Sequence, residues 1–258
     1  MGMGTRLIAM CGRFVFSRTS SDLQAVFEID QVDEDLPRPS FNIAPSEQIC
    51  VVVEPGSRAD ADPSPGSDRR LVAARWGLIP RFARSMASGP TPFNARAEKL
   101  LDSPLYAGPY ATRRAIIPAD GFFERRKADR VSYYIHPGDG SVLAFAGVYE
   151  WWRPPQVDLP RPGAWVLSTA IVTSDAHGPM ARIHDRQPVC LPRDMWAAWL
   201  DPGVVGDRDL LEEAVLTSHA VMDALDFRQV GPGWGSTQPG TRRDDPGLIE
   251  EWDSTDAP

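Results

Sequence analysis

The chain has 258 residues, 42% hydrophobic and 24% charged, which fits a globular protein with one sizeable core and excludes global disorder and a collagen-like repeat. No stretch approaches the roughly 18 apolar residues of a membrane span, and the three cysteines, Cys11, Cys50 and Cys190, form no CxxC pair, which argues against a disulfide framework or thiolate zinc site and fits a reducing, cytoplasmic setting. The net charge of −8 is local: Glu28 to Asp35 carries −5 and Thr241 to Pro258 carries −4, whereas residues 81–130 hold ten Lys/Arg against five acids, a basic block that either faces phosphates or is merely a solvated surface.

In chain order, residues 1–10 offer three starts, Met1, Met3 and Met10, and an apolar run, Leu7 to Met10, too short for a secretory signal. They read as an extension absent from the mature protein. Ser21 with Gln24 reads as a capping box opening a helix whose Leu23, Val26 and Phe27 share a face. Strands are expected at Ile49 to Val53, Leu71 to Trp76, Ala115 to Ile117, Val131 to Ile135, Val142 to Trp152 and Trp165 to Thr173, where β-branched and aromatic residues concentrate. Between them, Glu54 to Asp68 and Arg153 to Gly163 are rich in Pro, Gly and charge and read as long hairpin loops. Arg193 to Leu200 and Asp209 to Val215 read as helices; Met195, Trp196 and Trp199 in the first are core residues or a base-stacking platform. From Gly231 periodicity is lost, so 231–258 is expected to be an acidic, flexible tail. The expected architecture is α+β: a single domain over 11–230 with a mostly antiparallel, barrel-like β-sheet core and a few peripheral helices.

The chain has no phosphate-cradling Gly-rich loop, paired-histidine zinc motif, dinucleotide fingerprint or nucleophile elbow, so no metal or organic cofactor is expected. Only Lys99 and Lys127 are lysines, which leaves few side-chain amines for Schiff-base chemistry. Four polar residues stand at junctions of turn and strand sequence: Cys11, Asn94, Glu124 and His184. Each also has a structural reading. Cys11 could be a buried small hydrophobe, as Cys50 and Cys190 are expected to be; Asn94 a turn residue; Glu124 a surface partner of Arg125 and Arg126; and His184 a hydrogen-bonded structural histidine.

Six segments in order, Met10-Cys11-Gly12-Arg13-Phe14, Phe41-Asn42-Ile43-Ala44-Pro45, Arg75-Trp76-Gly77-Leu78-Ile79-Pro80, Asn94-Ala95-Arg96-Ala97-Glu98, Ile117 to Glu124 and Ile183 to Val189, resemble the SRAP family, the SOS response-associated peptidases understood as abasic-site-binding proteins of the DNA damage response. The resemblance implies covalent capture of abasic sites in single-stranded DNA by an N-terminal cysteine, whose α-amine and thiol together close a thiazolidine on the lesion aldehyde. By the same resemblance, Asn94 would hold the opened sugar or the amine, Glu124 would move protons and His184 would be a second acid/base. Arg13 and Arg96, with Asn42, Pro45 and Trp76, would bind or wedge the strand. No membrane or metal partner is implied; a cytoplasmic monomer, nucleoid-associated when on DNA, is expected.

Departures from the family pattern are Phe41 where tyrosine is common, Phe82 and Arg125 where tryptophan is common, and the extension before Cys11. Cys11 gains a free α-amine only if Met10 is the start and is removed, or if the chain cleaves itself before Cys11. Two other readings stand beside capture: a thiol peptidase with Cys11 as nucleophile and His184 as base, and a reversible single-strand binder using the basic block of residues 81–130.

Overall fold

The structure is a computed structural model and describes residues 12–56, 68–86, 91–153, 165–235 and 244–252. Strand β1 (Phe14–Phe16) leads into helix α1 (Ser20–Phe27), followed by β2 (Gln31–Val32), β3 (Ser40–Ile43), β4 (Gln48–Val53), β5 (Arg70–Trp76) and β6 (Asn94–Arg96). A short helix α2 (Ala107–Thr112) precedes β7 (Arg114–Ala119), β8 (Gly121–Arg125), β9 (Ser132–Pro137), β10 (Leu143–Trp152), β11 (Val166–Asp175) and β12 (Arg186–Pro188). The chain then forms α3 (Trp196–Leu200), α4 (Arg208–Asp223) and β13 (Leu225–Val230).

Five strands close on themselves. β5 pairs with β4, β4 with β7, β7 with β10 and β10 with β11, all antiparallel. β11 then returns to β5 in parallel through Ser168 opposite Arg75 and Thr169 opposite Trp76. Closure removes the free edges of the ring, and the expected barrel-like, mostly antiparallel core is what the chain forms. β7 is buried at every residue and β4 at every residue after Gln48, because both faces of the ring are covered; this is why those stretches read as continuous apolar runs rather than alternating ones. Gly147 of β10 sits where a Cβ would come 2.5 Å from the Ile117 side chain, so a larger residue would have to displace the Ile117 δ-methyl. The antiparallel pairings on either side of the two Pro/Gly-rich stretches make them hairpin connections; residues 57–67 and 154–164 themselves lie outside the described set.

A second sheet, in the order β13-β9-β8-β1-β3, lies against the ring. Phe14 of β1 and Phe122 of β8 meet Phe145 of β10 edge-on, at 6.2 and 5.9 Å. Beyond the ring's edge, β11 is flanked by β6 in parallel and by β12 antiparallel, so that Thr173 faces both Arg96 and Pro188.

The helices correct the sequence reading in two places. The cap of α1 is Thr19, whose hydroxyl accepts the Asp22 N–H while the Asp22 carboxylate accepts the Thr19 N–H; Ser21 is already inside the helix. Helix α4 runs eight residues past Val215, with Leu210, Ala214, Ser218 and Met222 buried along one stripe. Ala214 and Ser218 are too small and too polar to mark that stripe as apolar, and Ser218 Oγ is used as an acceptor for the Cys190 N–H at 2.8 Å. Trp196 and Trp199 are buried core residues whose indole N–H groups donate to Leu191 O and Ala115 O, so they form no stacking platform. The described parts of the segment after Gly231 are packed: Trp234 is buried, Leu248 and Ile249 join its cluster, and the Trp252 N–H donates to Gln229 O. Among the described residues no helix is long and apolar enough to cross a membrane.

Candidate active site

Cys11 lies outside the described residues; the chain is described from Gly12. Immediately after it, Arg13 is fixed at both ends. Its carbonyl accepts the Phe123 N–H at 3.0 Å, and its guanidinium donates to Asn42 Oδ1 at 3.1 Å. Asn42, fully buried, passes the link on by donating from Nδ2 to Trp234 O at 3.1 Å. Because β1 and β8 run antiparallel with Phe14 opposite Phe122, the chain before Phe14 is directed along β8 towards Glu124.

Glu124 is 2% exposed, and its Oε1 accepts the Arg125 N–H at 3.1 Å. The surface ion-pair reading fails because the neighbouring arginines go elsewhere: Arg126 pairs with Asp129 at 2.6 Å, and Arg125 lies over the Trp234 ring at 5.2 Å. A carboxyl so withdrawn from water is the kind that can exchange a proton with a bound substrate.

Asn94 opens β6 beside Ile171 of β11; it is half-buried, and its carbonyl accepts the Tyr106 hydroxyl at 3.3 Å. Trp76 joins this strand to β1. Its ring meets Phe14 at 5.0 Å and Phe93 at 5.5 Å, both edge-on, and its indole N–H donates to Phe93 O at 2.9 Å. Trp76 and Asn42 are both fully buried with their polar groups engaged, and they hold Arg13 and the start of β6 in place. Pro45 is half-buried in the turn before β4, beside Ser46, whose N–H donates to Trp76 O at 2.7 Å. Arg96 is exposed.

His184 sits in the loop between β11 and β12. Two contacts from just beyond β8 hold that loop, the Lys127 N–H to Ile183 O at 3.2 Å and Lys127 Nζ to Asp185 at 2.7 Å, so the His184 loop is tied to the hairpin that follows Glu124. His184 is buried and its Nδ1 accepts the Arg186 N–H at 3.0 Å, with Asp185 Oδ1 2.8 Å away. The same nitrogen cannot accept the one and donate to the other; accepting from Arg186 is the neutral arrangement, and a proton on Nδ1 would turn the bond to Asp185. Burial holds the imidazole pKa below its ordinary value, with Lys127 adding to the effect and Asp185 opposing it, so the neutral form prevails at pH 7.

Two arginines of the basic block of residues 81–130 face inward. Arg113 is buried against Glu150 at 3.1 Å. Arg114, 1% exposed, donates to the carbonyls of Trp199, Tyr110, Ala111, Asp201 and Val204; it closes the ends of α2 and α3. Two buried cysteines are inert, since burial pushes the Cys50 thiol up to about 12 and that of Cys190 up further. Trp234 was missed by sequence reading. Its ring stacks on Phe123 at 5.2 Å and 8°, and the one signal was a tryptophan within Gly231-Pro232-Gly233-Trp234-Gly235. Among the described residues no group of three His, Cys, Asp or Glu is placed to hold a metal ion.

The ring and the sheet across it define an α+β barrel domain with polar side chains at the edge where β1 begins. The same fold occurs in a protein of Bacteroides thetaiotaomicron, with a TM-score of 0.73 over 94% of this chain and 100% of that one at 18% identity. A phage-related protein of Bordetella bronchiseptica gives 0.60 over 85% and 94% at 25% identity. The chain belongs to the SOS response associated peptidase (SRAP) family, whose profile matches residues 10–235. Abasic site processing protein YoqW of Bacillus subtilis is 36% identical over 197 residues, 75% of this chain and 81% of that protein. Abasic site processing protein HMCES of Xenopus tropicalis is 30% identical over 205 residues, 70% and 59%.

Proposed function

We propose that this chain processes abasic sites in single-stranded DNA by forming a covalent thiazolidine through Cys11. The ring-opened abasic sugar presents an aldehyde. The Cys11 α-amine adds to it and water leaves, giving an imine; the Cys11 S–H then adds across the C=N bond, sulfur to carbon and proton to nitrogen, closing a five-membered ring. An α-amine with an ordinary pKa of about 7.7–8.0 is partly uncharged at neutral pH, which a lysine near 10.4 is not. The observation that carries the reading is the bond from the Phe123 N–H to Arg13 O, which leads the chain preceding β1 towards the buried Glu124 carboxyl. In this scheme Glu124 moves protons during ring opening and loss of water, His184 serves as the second acid/base through Nε2, Asn94 orients the opened sugar, and Arg13 and Arg96 meet phosphates. The abasic-site processing named in its relatives supports the assignment.

The reaction needs a free α-amine on Cys11, supplied either by synthesis from Met10 with removal of that methionine or by self-cleavage of the Met10–Cys11 bond. Intact mass before and after incubation with a single-stranded oligonucleotide carrying one abasic site tests both. The expected result is a chain beginning at Cys11 and an adduct of protein plus oligonucleotide less one water. The adduct is expected to be heat-stable and absent from Cys11→Ala and from an undamaged strand. An adduct that persists in Cys11→Ala, or none at all in the parent, overturns the proposal.

A further inference from the structure

The hairpin after Glu124 sets a cation, Arg125, for which Glu124 is the one favourable charge. Arg125 is half-buried with its guanidinium over the Trp234 ring, and Trp234 is 7% exposed. Arg125 Nε and Trp234 Nε1 are both buried N–H donors that meet no acceptor among the described residues. Buried donors are nearly always matched, so two of them in one side-chain contact mark a place suited to a group rich in acceptor oxygens.

The charges point the same way. Burial and the nearby Arg130 both work against the charged form of Arg125, and only Glu124 favours it. Arginine nonetheless stays protonated, so the two guanidinium groups repel at rest. Arg130 is kept in the left-handed region, φ 67°, by a hairpin closed through Arg126 N–H to Val131 O and Arg130 N–H to Arg126 O. Neighbouring Arg126 has Asp129; Arg125 has an indole face instead. An anion entering from the exposed side of Arg125 would relieve the repulsion and satisfy both donors through charge-assisted bonds.

We propose that Arg125 and Trp234 form a subsite for one backbone phosphate of the single strand, beside the nucleotide held at Glu124, which rests on the function proposed above. Trp234 reaches this position from the segment after β13, and its own carbonyl is held by Asn42, the residue that also holds Arg13. The phosphate subsite and the anchor of the reacting terminus are thus built on one hydrogen-bonded chain.

The test uses undamaged single-stranded oligonucleotides, each with one neutral methylphosphonate at a successive position, and fluorescence anisotropy with the full chain, Arg125→Gln and Trp234→Phe. Phenylalanine keeps the stack on Phe123 and loses only the N–H. In the parent, one methylphosphonate position is expected to weaken binding about tenfold. Arg125→Gln is expected to lose that position's effect and to lower the salt slope by about one; Trp234→Phe weakens the same position about threefold with the slope unchanged. Positions that cost the parent and Arg125→Gln alike overturn the subsite and leave covalent capture standing, provided the parent still forms its adduct on an abasic strand. A parent that neither binds nor reacts overturns both.

Discussion

Arg114 in the ring and Arg125 at the edge of the second sheet are both withdrawn from water, yet they are treated in opposite ways. Arg114 spends its donors on five carbonyls at the ends of α2 and α3, and Arg113 beside it has Glu150. Arg125 rests on an aromatic face with a like charge nearby and its Nε without an acceptor among the described residues. Burial alone therefore does not separate a structural charge from a working one. What separates them is whether the fold has already supplied the partner. The ring consumes its polar groups to hold itself closed, while the sheet over it gathers Arg13, Asn42, Glu124 and Arg125 at the edge where the chain enters.

The sharpest way to break this contrast is to truncate on each side of it. Arg114→Met strands five carbonyls and is expected to cost about 3–5 kcal/mol of stability, read as a fall of several degrees in the thermal midpoint, with adduct formation intact at temperatures where the chain stays folded. A midpoint within a degree of the parent would show that water replaces the guanidinium and that the ring does not depend on it. Glu124→Gln should do the reverse. Adduct formation is expected to slow about 100-fold, or about 2.7 kcal/mol in barrier, with the thermal midpoint nearly unmoved. If instead the midpoint drops and the rate does not, Glu124 belongs with Arg114 on the structural side.

Much of this contrast was legible in the sequence, and the exceptions have physical causes. The apolar runs of β4, β7, β10 and β11 announce the ring, and the matched segments single out Arg13, Glu124 and His184. The parallel seam that closes the ring was not legible, since Ser168 and Arg75 are joined by no local signal. Asn42 and Trp76 have the chemistry of contact residues, and their complete burial could not be read from the sequence. Trp234 was hidden by its setting: a lone tryptophan among glycines has no periodicity to place it, although its ring completes the Phe123 stack. Thr19, Ser20 and Ser21 are all able to cap α1, and the position of Asp22 decides among them by reaching back to the Thr19 N–H.

His184 offers the finest test, because it lies between the two regions, in a loop tied to the hairpin that follows β8. Its pKa is depressed in the folded chain, chiefly by burial, so the native state binds fewer protons than the unfolded one as pH falls. The stability linked to it is present above the ordinary value of about 6.5 and is lost as pH drops through the folded pKa. Adduct formation should lose a further factor over the same window as Nδ1 becomes protonated and turns from the Arg186 N–H to Asp185, by at most about tenfold per pH unit for one proton. An N-terminal Cys11 amine with the ordinary value of about 7.7–8.0 is expected to add its own limb, so the two would separate along the pH axis. His184→Asn is expected to erase the limb below pH 6.5 in rates measured from pH 5 to 9 and to leave the upper one. If the low-pH limb persists unchanged in that variant, the proton belongs to Glu124, and His184 only carries the loop.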